Sequence, residues 1–292
     1  MEPYKEFFVR DYQLGLYEKA LPPTLSYFEK LTEAGSAGFD YLELSIDESE
    51  EKLARLRWSS AERKVLRDAM AETGIPLASM CLSGHRKYPL GSVDPQIRER
   101  GMEIMAGAID LAFDLGLRII QLAGYDEYYN PSTEETRRLF AENLRLAVSL
   151  AARRGILLAF ETMETPFMNS VAKAMVHVRA INSPYLQVYP DLGNITNSAL
   201  AEGRRVEDDL ESGRGHLAAL HLKETSPNVF RNMDYGDGHV DFDGGIRKAR
   251  SLGVRMFVGE FWHTDIPDWR GRLRKAGVFL RDKLDRCFNE AL

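Results

Sequence analysis

The chain has 292 residues, of which 44% are hydrophobic and 28% charged, so it can build a large core. Its net charge of -6, from 44 acidic and 38 basic residues, argues against a general nucleic-acid binder, which needs a basic surface. Only two cysteines are present, and the first residues show neither a cationic segment nor a long apolar run. No apolar run approaches the roughly 18 residues of a membrane span. We therefore predict a cytoplasmic protein that binds neither nucleic acid nor membrane.

Short apolar runs alternate with longer amphipathic stretches along the chain. The runs predict eight strands, at residues 14–17, 41–46, 77–83, 118–124, 157–163, 186–193, 217–224 and 255–262. Strands separated by helices pair in parallel, and eight such units fit a closed barrel better than an open sheet. We predict an α/β fold, a single-domain (β/α)8 TIM barrel over residues 13–292, preceded by an N-terminal extension over residues 1–12.

The amphipathic stretches carry the residues that begin and end helices. SSAERKVLRDAMAETG opens on serine with Glu62 nearby and closes on Gly74. STEETRRLFAENLRLAVSLAARRG starts with Ser132 and ends at Gly155. These signals predict one helix after each of the strands concerned.

Four consecutive predicted strands end in residues that can bind a metal: Glu161, Asp191, His221 and Glu260. Asp191 alone is equally well explained as a helix cap, and a lone His221 is better explained as a hydrogen-bonded core residue. Together they occupy the barrel end where active sites form, and buried carboxylates are rarely tolerated without a cation. We predict one bound divalent metal ion, Mn²⁺, Zn²⁺, Co²⁺ or Mg²⁺.

Several segments in chain order carry a family resemblance: LGLYEKALP, GFDYLELSIDE, SMCLSGHRKYPLGS, IIQLAGYDEYY, PFMNS, YPDLGN and HLKET. Together they resemble the L-ribulose-5-phosphate 3-epimerase family, whose L-xylulose-5-phosphate-converting members serve L-ascorbate breakdown. The resemblance covers nearly the whole barrel and implies a place in the xylose-isomerase-like TIM barrel superfamily. It implies that the four strand-end residues bind the metal and that Glu161 and Glu260 are also the catalytic acid and base.

The resemblance implies an isomerase that inverts C3 of a ketopentose 5-phosphate, L-xylulose 5-phosphate to L-ribulose 5-phosphate, and the chemistry of these groups suits that reaction. The C3 proton is acidic because the C2 carbonyl accepts charge as an enediolate, which a metal stabilises. Two carboxylates then remove and return the proton on opposite faces. A related aldose–ketose isomerase for a hexulose phosphate or an inositol-derived sugar would use the same groups, and the sequence separates the two poorly.

Two other functions fit the sequence less well. A barrel nuclease with a zinc cluster would need more histidines at strand ends than a chain with 6 histidines offers, and a basic mouth. A non-catalytic sugar-phosphate sensor has no need of two opposed proton-transfer groups.

The loop after the third strand, SGHRKYPLGS, offers donors for the substrate phosphate. We predict that His85 contacts the phosphate, ahead of its neighbours Arg86 and Lys87, against the simpler alternative of a solvated basic loop.

Four further residues adjoin the strand ends that carry ligands, and we predict that they contact or orient the substrate: Glu164, Asn194, Lys223 and Glu224. The partner is a small-molecule sugar phosphate. Barrels of this size commonly pair, so we also predict a homodimer.

Overall fold

Eight parallel strands form the centre of the molecule, in a computed structural model that describes residues 10–290. All eight predicted strands are present. Their bounds are β1 Gln13–Tyr17, β2 Tyr41–Ile46, β3 Leu77–Leu82, β4 Ile119–Ala123, β5 Leu157–Glu161, β6 Leu186–Val188, β7 Leu220–Leu222 and β8 Met256–Gly259.

Helices follow the strands and cover the outside of the barrel. They are α1 Tyr27–Ser36, α2 Glu50–Ala54, α3 Ser60–Thr73, α4 Pro95–Leu115, α5 Glu134–Arg154, α6 Val171–Ile181, α7 Leu192–Glu202, α8 Val206–Ser212, α9 Phe242–Ser251 and α10 Trp269–Asn289. Over residues 10–290, none of them combines the length and the apolar character that a membrane crossing requires.

The strands pair with their neighbours in sequence, in the order β6-β5-β4-β3-β2-β1-β8-β7. Isolated parallel bridges from Val188 to Leu217 and from Asp191 to His221 join the two ends of this order. They close the sheet into the predicted (β/α)8 TIM barrel. All eight strands therefore point their carboxyl ends at one mouth, where such folds place their active sites.

Side chains fill the barrel below that mouth. Tyr41 and Tyr189 are fully buried there, with Cys81 and Val258 in the same apolar cluster. The interior is therefore a packed core rather than a channel, and polar groups at the strand ends lie above an apolar floor.

The helix ends follow the predicted signals, with one correction. Ser59 and Glu62 form a reciprocal capping box at the start of α3, and Gly74 ends that helix at a left-handed φ of 70°. Helix α5 is capped by Thr133 and not by Ser132, whose hydroxyl instead donates to Asp126 Oδ2 at 2.6 Å.

The sixth strand is shorter than predicted because a helix begins earlier. β6 ends at Val188, whereas the prediction ran to residue 193, and Asp191 already caps α7. Residues 1–9 of the predicted N-terminal extension lie outside the described residues. The last residue of that extension, Tyr12, donates its hydroxyl to Asp285 Oδ1 of α10 at 2.6 Å.

Candidate active site

Four polar side chains meet at the mouth of the barrel, from the ends of β5, β6, β7 and β8. They are the predicted Glu161, Asp191, His221 and Glu260, and one ligand atom from each lies within 4.8 Å of the others. All four are buried, with at most 5% of the residue surface exposed. The structure thus brings together groups that the sequence separates by one strand–helix unit each.

Asp191 performs two roles that the sequence left as alternatives. Its Oδ1 accepts a hydrogen bond from the backbone N–H of Asn194 at 2.6 Å and so caps α7. Its Oδ2 is buried without a well-aligned hydrogen bond, although Lys223 Nζ lies 3.1 Å away and His221 Nδ1 3.9 Å away. One oxygen therefore serves the helix and the other faces the cluster.

His221 is fixed in one orientation by Glu43, a fully buried carboxylate in the middle of β2. His221 Nε2 lies 2.7 Å from Glu43 Oε1, and because a carboxylate only accepts, Nε2 carries the proton. Nδ1 faces the other carboxylates, 3.3 Å from Glu260 Oε2 and 3.7 Å from Glu161 Oε1. This is the arrangement in which a carboxylate orients a metal-binding histidine.

Burial makes the carboxylate cluster costly without a cation. It raises the pKa of Glu161, and it raises the pKa of Asp191 well above the ordinary value. Lys223 supplies one positive charge, 3.1 Å from Asp191 and 3.4 Å from Glu260 Oε2. Three carboxylates face this single ammonium group, so the donor set and its excess negative charge fit a divalent ion.

A cavity of about 430 Å³ opens above the cluster. Its lining includes Glu161 and Glu260 together with three of the predicted substrate residues, Glu164, Asn194 and Lys223. The volume lies within the usual range for small-molecule sites.

Comparisons with known proteins agree with this architecture. Residues 31–283 match the family model of the xylose isomerase-like TIM barrel. The chain is 42% identical over 275 residues to L-ribulose-5-phosphate 3-epimerase UlaE of Escherichia coli O157:H7, which covers 94% of this chain and 95% of that protein. The enzyme of the same name from Shigella sonnei matches equally well. The chain belongs to this epimerase family. The resemblance predicted from the sequence segments is thereby confirmed.

Solved structures share the fold at low identity. D-allulose 3-epimerase from Methylomonas sp. in complex with D-allulose superposes with a TM-score of 0.75 at 19% identity, over 93% of this chain and 97% of that one. A xylose isomerase-like TIM barrel protein from Mycobacterium smegmatis in complex with magnesium gives 0.69 at 17% identity, over 95% and 98%. At these identities the likeness shows the fold alone.

Three of the five predicted substrate residues line the epimerase cavity, and each makes different contacts. Glu164 accepts from the hydroxyl of Tyr125 at 3.3 Å and from that of Tyr128 at 3.4 Å. The side chain of Asn194 donates to the carbonyl oxygen of Thr162 at 2.7 Å, which fixes the first turn of α7 beneath the cavity. Lys223 points directly at the cluster.

The other two predicted substrate residues, His85 and Glu224, do not line the cavity. His85 is buried behind its loop, where Nε2 lies 3.1 Å from the carbonyl oxygen of Gly101, and burial lowers its pKa to about 4. A neutral imidazole in that position offers no charge to a phosphate. Glu224 accepts from the backbone N–H groups of Gly236 at 2.9 Å and Val240 at 3.2 Å, so it organises the loop after β7.

Sequence reasoning missed two polar side chains inside the barrel. Glu43 lies in the apolar run YLELSI, and Gln121 lies in β4 with its amide nitrogen 3.2 Å from both ring nitrogens of His221. A carboxylate within a fully buried strand requires a partner, and that signal was available in the sequence for Glu43. The cavity also contains Arg86, Arg231 and Trp262, of which only Arg86 was considered as a donor.

Proposed function

We propose that the protein is a metal-dependent epimerase that interconverts L-xylulose 5-phosphate and L-ribulose 5-phosphate by inverting C3. The observation that carries the proposal is the buried quartet of three carboxylates and one imidazole at the floor of a sugar-sized cavity. The 42% identity to enzymes named L-ribulose-5-phosphate 3-epimerase supports the choice of substrate.

Glu161, Asp191, His221 and Glu260 would hold the metal. Oxygen ligands with one imidazole suit Mn²⁺, Co²⁺, Zn²⁺ or Mg²⁺. The unpartnered Asp191 Oδ2 and the Nδ1 atom of His221, which faces the same cluster, are the features of this chain that fit such an ion. When bound, the ion supplies Lewis-acid polarisation of the ketose carbonyl.

Glu161 and Glu260 would carry the proton. They come from strands three places apart in the barrel order and both line the cavity, so they approach a bound sugar from different directions. One carboxylate takes the C3 proton, and the other, starting as the carboxylic acid, gives its proton to the opposite face. Each such group typically contributes ~10²–10⁴ in rate. Exchange of one proton each with solvent restores the starting state.

Deuterium exchange tests both the reaction and its position on the sugar. The purified protein is incubated with each candidate metal and with L-xylulose 5-phosphate or L-ribulose 5-phosphate in D₂O, and the products are followed by NMR. We expect deuterium at C3 together with formation of the other epimer, and no reaction after metal removal by a chelator. Deuterium at C1 would instead indicate an aldose–ketose isomerase and overturn the proposal.

A further inference from the structure

A buried ion cluster lies beside the mouth of the barrel, at the end of β1. Glu18, the residue directly after β1, accepts from Lys30 Nζ at 2.8 Å, from Lys52 Nζ at 3.0 Å and from Arg55 Nη1 at 2.7 Å. Its Oε2 also accepts from the backbone N–H of Ser45 in β2 at 2.9 Å. Burial alone would raise the pKa of Glu18, but the three cations outweigh it and hold the pKa below the ordinary value. Glu18 is therefore ionised although only 1% of its surface is exposed.

The cluster is better explained by the geometry that it imposes than by stability. Removing one carboxylate and three cations from water costs free energy that their mutual attraction only roughly offsets, so buried ion pairs often add little net stability. Hydrogen bonds to fixed partners, in contrast, hold a chain in one position. Here the partners lie on α1, on α2, on the 3₁₀ turn after α2 and on β2, so Glu18 joins the end of β1 to four other elements.

The residues on either side of Glu18 belong to the cavity. Tyr17 and Lys19 both line it, whereas Glu18 does not. The hydroxyl of Tyr17 lies 3.2 Å from Ser45 Oγ, on the strand whose backbone also binds Glu18. Lys19 Nζ pairs with Asp47 Oδ2 at 2.5 Å, just beyond the end of that strand. Displacement of Glu18 would therefore displace two groups of the cavity wall.

The same end of β1 also supports Glu260. β1 pairs with β8, and the two strands are in register up to the residue before Glu260. Beyond Glu260 the chain returns to β1, where the backbone N–H of His263 donates to the carbonyl oxygen of Lys19 at 2.7 Å. β5, which ends at Glu161, lies four places from β1 in the ring of eight. The cluster therefore adjoins one of the two proposed proton carriers and lies across the barrel from the other.

We propose that Glu18 is a positioning residue that, with Lys30, Lys52 and Arg55, fixes the end of β1 and thereby the place of Glu260 in the cavity. The inference rests on the proposed function for the reaction that Glu260 serves. It predicts an asymmetric effect. Loss of the cluster slows proton transfer through Glu260 and leaves transfer through Glu161 unchanged, whereas general destabilisation would slow both.

Deuterium exchange at C3, measured separately from each epimer in D₂O, tests this asymmetry. Glu260→Gln identifies the epimer whose proton Glu260 removes, because that variant loses exchange from that epimer. In Glu18→Gln we expect exchange from the same epimer to fall about tenfold or more, since misplacing a catalytic group by about 1 Å can cost about 100-fold in rate. Exchange from the other epimer should stay within threefold of wild type.

Two further variants complete this test. Arg55→Met removes the guanidinium that joins Glu18 to the carbonyl oxygen of Ser45, and it leaves two ammonium groups beside one carboxylate. It should show the same one-sided loss, and it replaces Glu18→Gln if that variant does not fold. Tyr12→Phe is the control, because it removes a hydrogen bond to Asp285 at the opposite end of β1. It should change neither exchange rate more than threefold. Equal losses from both epimers, or no loss from either, would overturn the positioning role.

Amide hydrogen exchange followed by mass spectrometry detects the same positioning without any reaction. In Glu18→Gln or Arg55→Met, residues 260–264, which include the amide bound to Lys19, should exchange about tenfold faster or more. Residues 159–163 at the end of β5 should not change. If wild type exchanged no ketose proton, the proposed function would fail, and this measurement would decide the role of Glu18 alone. The same acceleration in both segments, or none in residues 260–264, would contradict the proposal.

Discussion

Asp191 shows how one residue can satisfy both the fold and the site. Its Oδ1 caps α7 and its Oδ2 faces the ligand cluster. The capping oxygen therefore contributes to the stability of the fold, and the negative charge contributes to metal binding. The sequence pattern indicated both roles but could not show that they coexist, because each requires a different oxygen of the same carboxylate.

Asp191→Asn and Asp191→Ala should separate these two consequences. Asparagine is as good a helix cap as aspartate, whereas alanine loses about 0.5–2 kcal/mol of stability at such a position. We expect both variants to lose bound metal by elemental analysis, and only the alanine variant to lose the capping contribution in urea unfolding of the metal-free proteins. Stoichiometric metal in Asp191→Asn would remove Asp191 from the ligand set.

Glu43 should control metal affinity without touching the metal. It accepts from His221 Nε2 at 2.7 Å, from Ser79 Oγ at 2.6 Å and from the hydroxyl of Tyr189 at 3.1 Å. Glu43→Gln weakens the hold on the imidazole, and loss of such a partner typically costs 10–100-fold in metal affinity. Competition titration with a fluorescent chelator measures this directly.

Tyr189→Phe is the matched control for Glu43. It removes another hydrogen bond to the same carboxylate while keeping the ring that packs 4.9 Å from the imidazole of His221. We expect its metal affinity to stay within threefold of wild type. Equal effects of Glu43→Gln and Tyr189→Phe would point to general loosening of the core and not to orientation of His221.

At the level of elements, the strands fix the two glutamates and thereby the stereochemistry. Glu161 ends β5 and Glu260 follows β8, and both strands pair with neighbours along the barrel, so neither carboxylate can be moved without moving a strand. A two-base mechanism requires that each carboxylate serve one face of C3.

Glu161→Gln and Glu260→Gln should each abolish net epimerisation, since an amide neither accepts nor returns the proton. Each variant should still exchange the C3 proton of one epimer with D₂O, and the two variants should act on opposite epimers. Metal occupancy must be shown for each variant first, because both glutamates are also proposed ligands. Exchange of both epimers at near wild-type rates by one metal-loaded variant would contradict the two-base mechanism.

The positions of strands and helix ends were predictable from the sequence where residues close along the chain determine them. The eight strands and the capping box at Ser59 follow from hydrophobic periodicity and from side-chain chemistry within a few residues. The placements of His85 and Arg231 were not predictable, because they depend on tertiary contacts of loops. A 3₁₀ turn over Gly84–Arg86 buries His85, and the loop carrying Arg231 is held by hydrogen bonds to Glu224.

At the level of the whole molecule, the barrel closes between β6 and β7, a seam that has fewer backbone pairs than the β2–β3 pairing. Two of the proposed metal ligands lie at this seam. Between β6 and β7 the described strands are joined by the bridges Val188–Leu217 and Asp191–His221, whereas β2 and β3 pair over five registered positions. A metal bound by Asp191 and His221 would therefore link the two edges of the sheet.

The homodimer and the cytoplasmic location stay predictions.

Hydrogen exchange should detect this link. Metal at 100 times its Kd stabilises the bound form by about 2.7 kcal/mol, which slows exchange through seam opening about 100-fold. We expect this slowing at the amides of Ala218 and His221, which donate across the seam at 2.8 Å and 2.9 Å, and little change at Leu44 in β2. His221→Ala should show no metal effect. Uniform slowing throughout the barrel would argue against a local seam.

The separation of strand ends from loops also has an evolutionary consequence. The groups proposed to move the proton stand on the sheet, whereas Arg86 and Arg231, which line the same cavity, stand on connections that can lengthen, shorten or be exchanged. Mutations in the loops after β3 and β7 can therefore change which sugar is bound, in small steps, while the groups at the strand ends stay in place. For protein engineering, exchanging those two loops is the most direct route to a different ketose substrate.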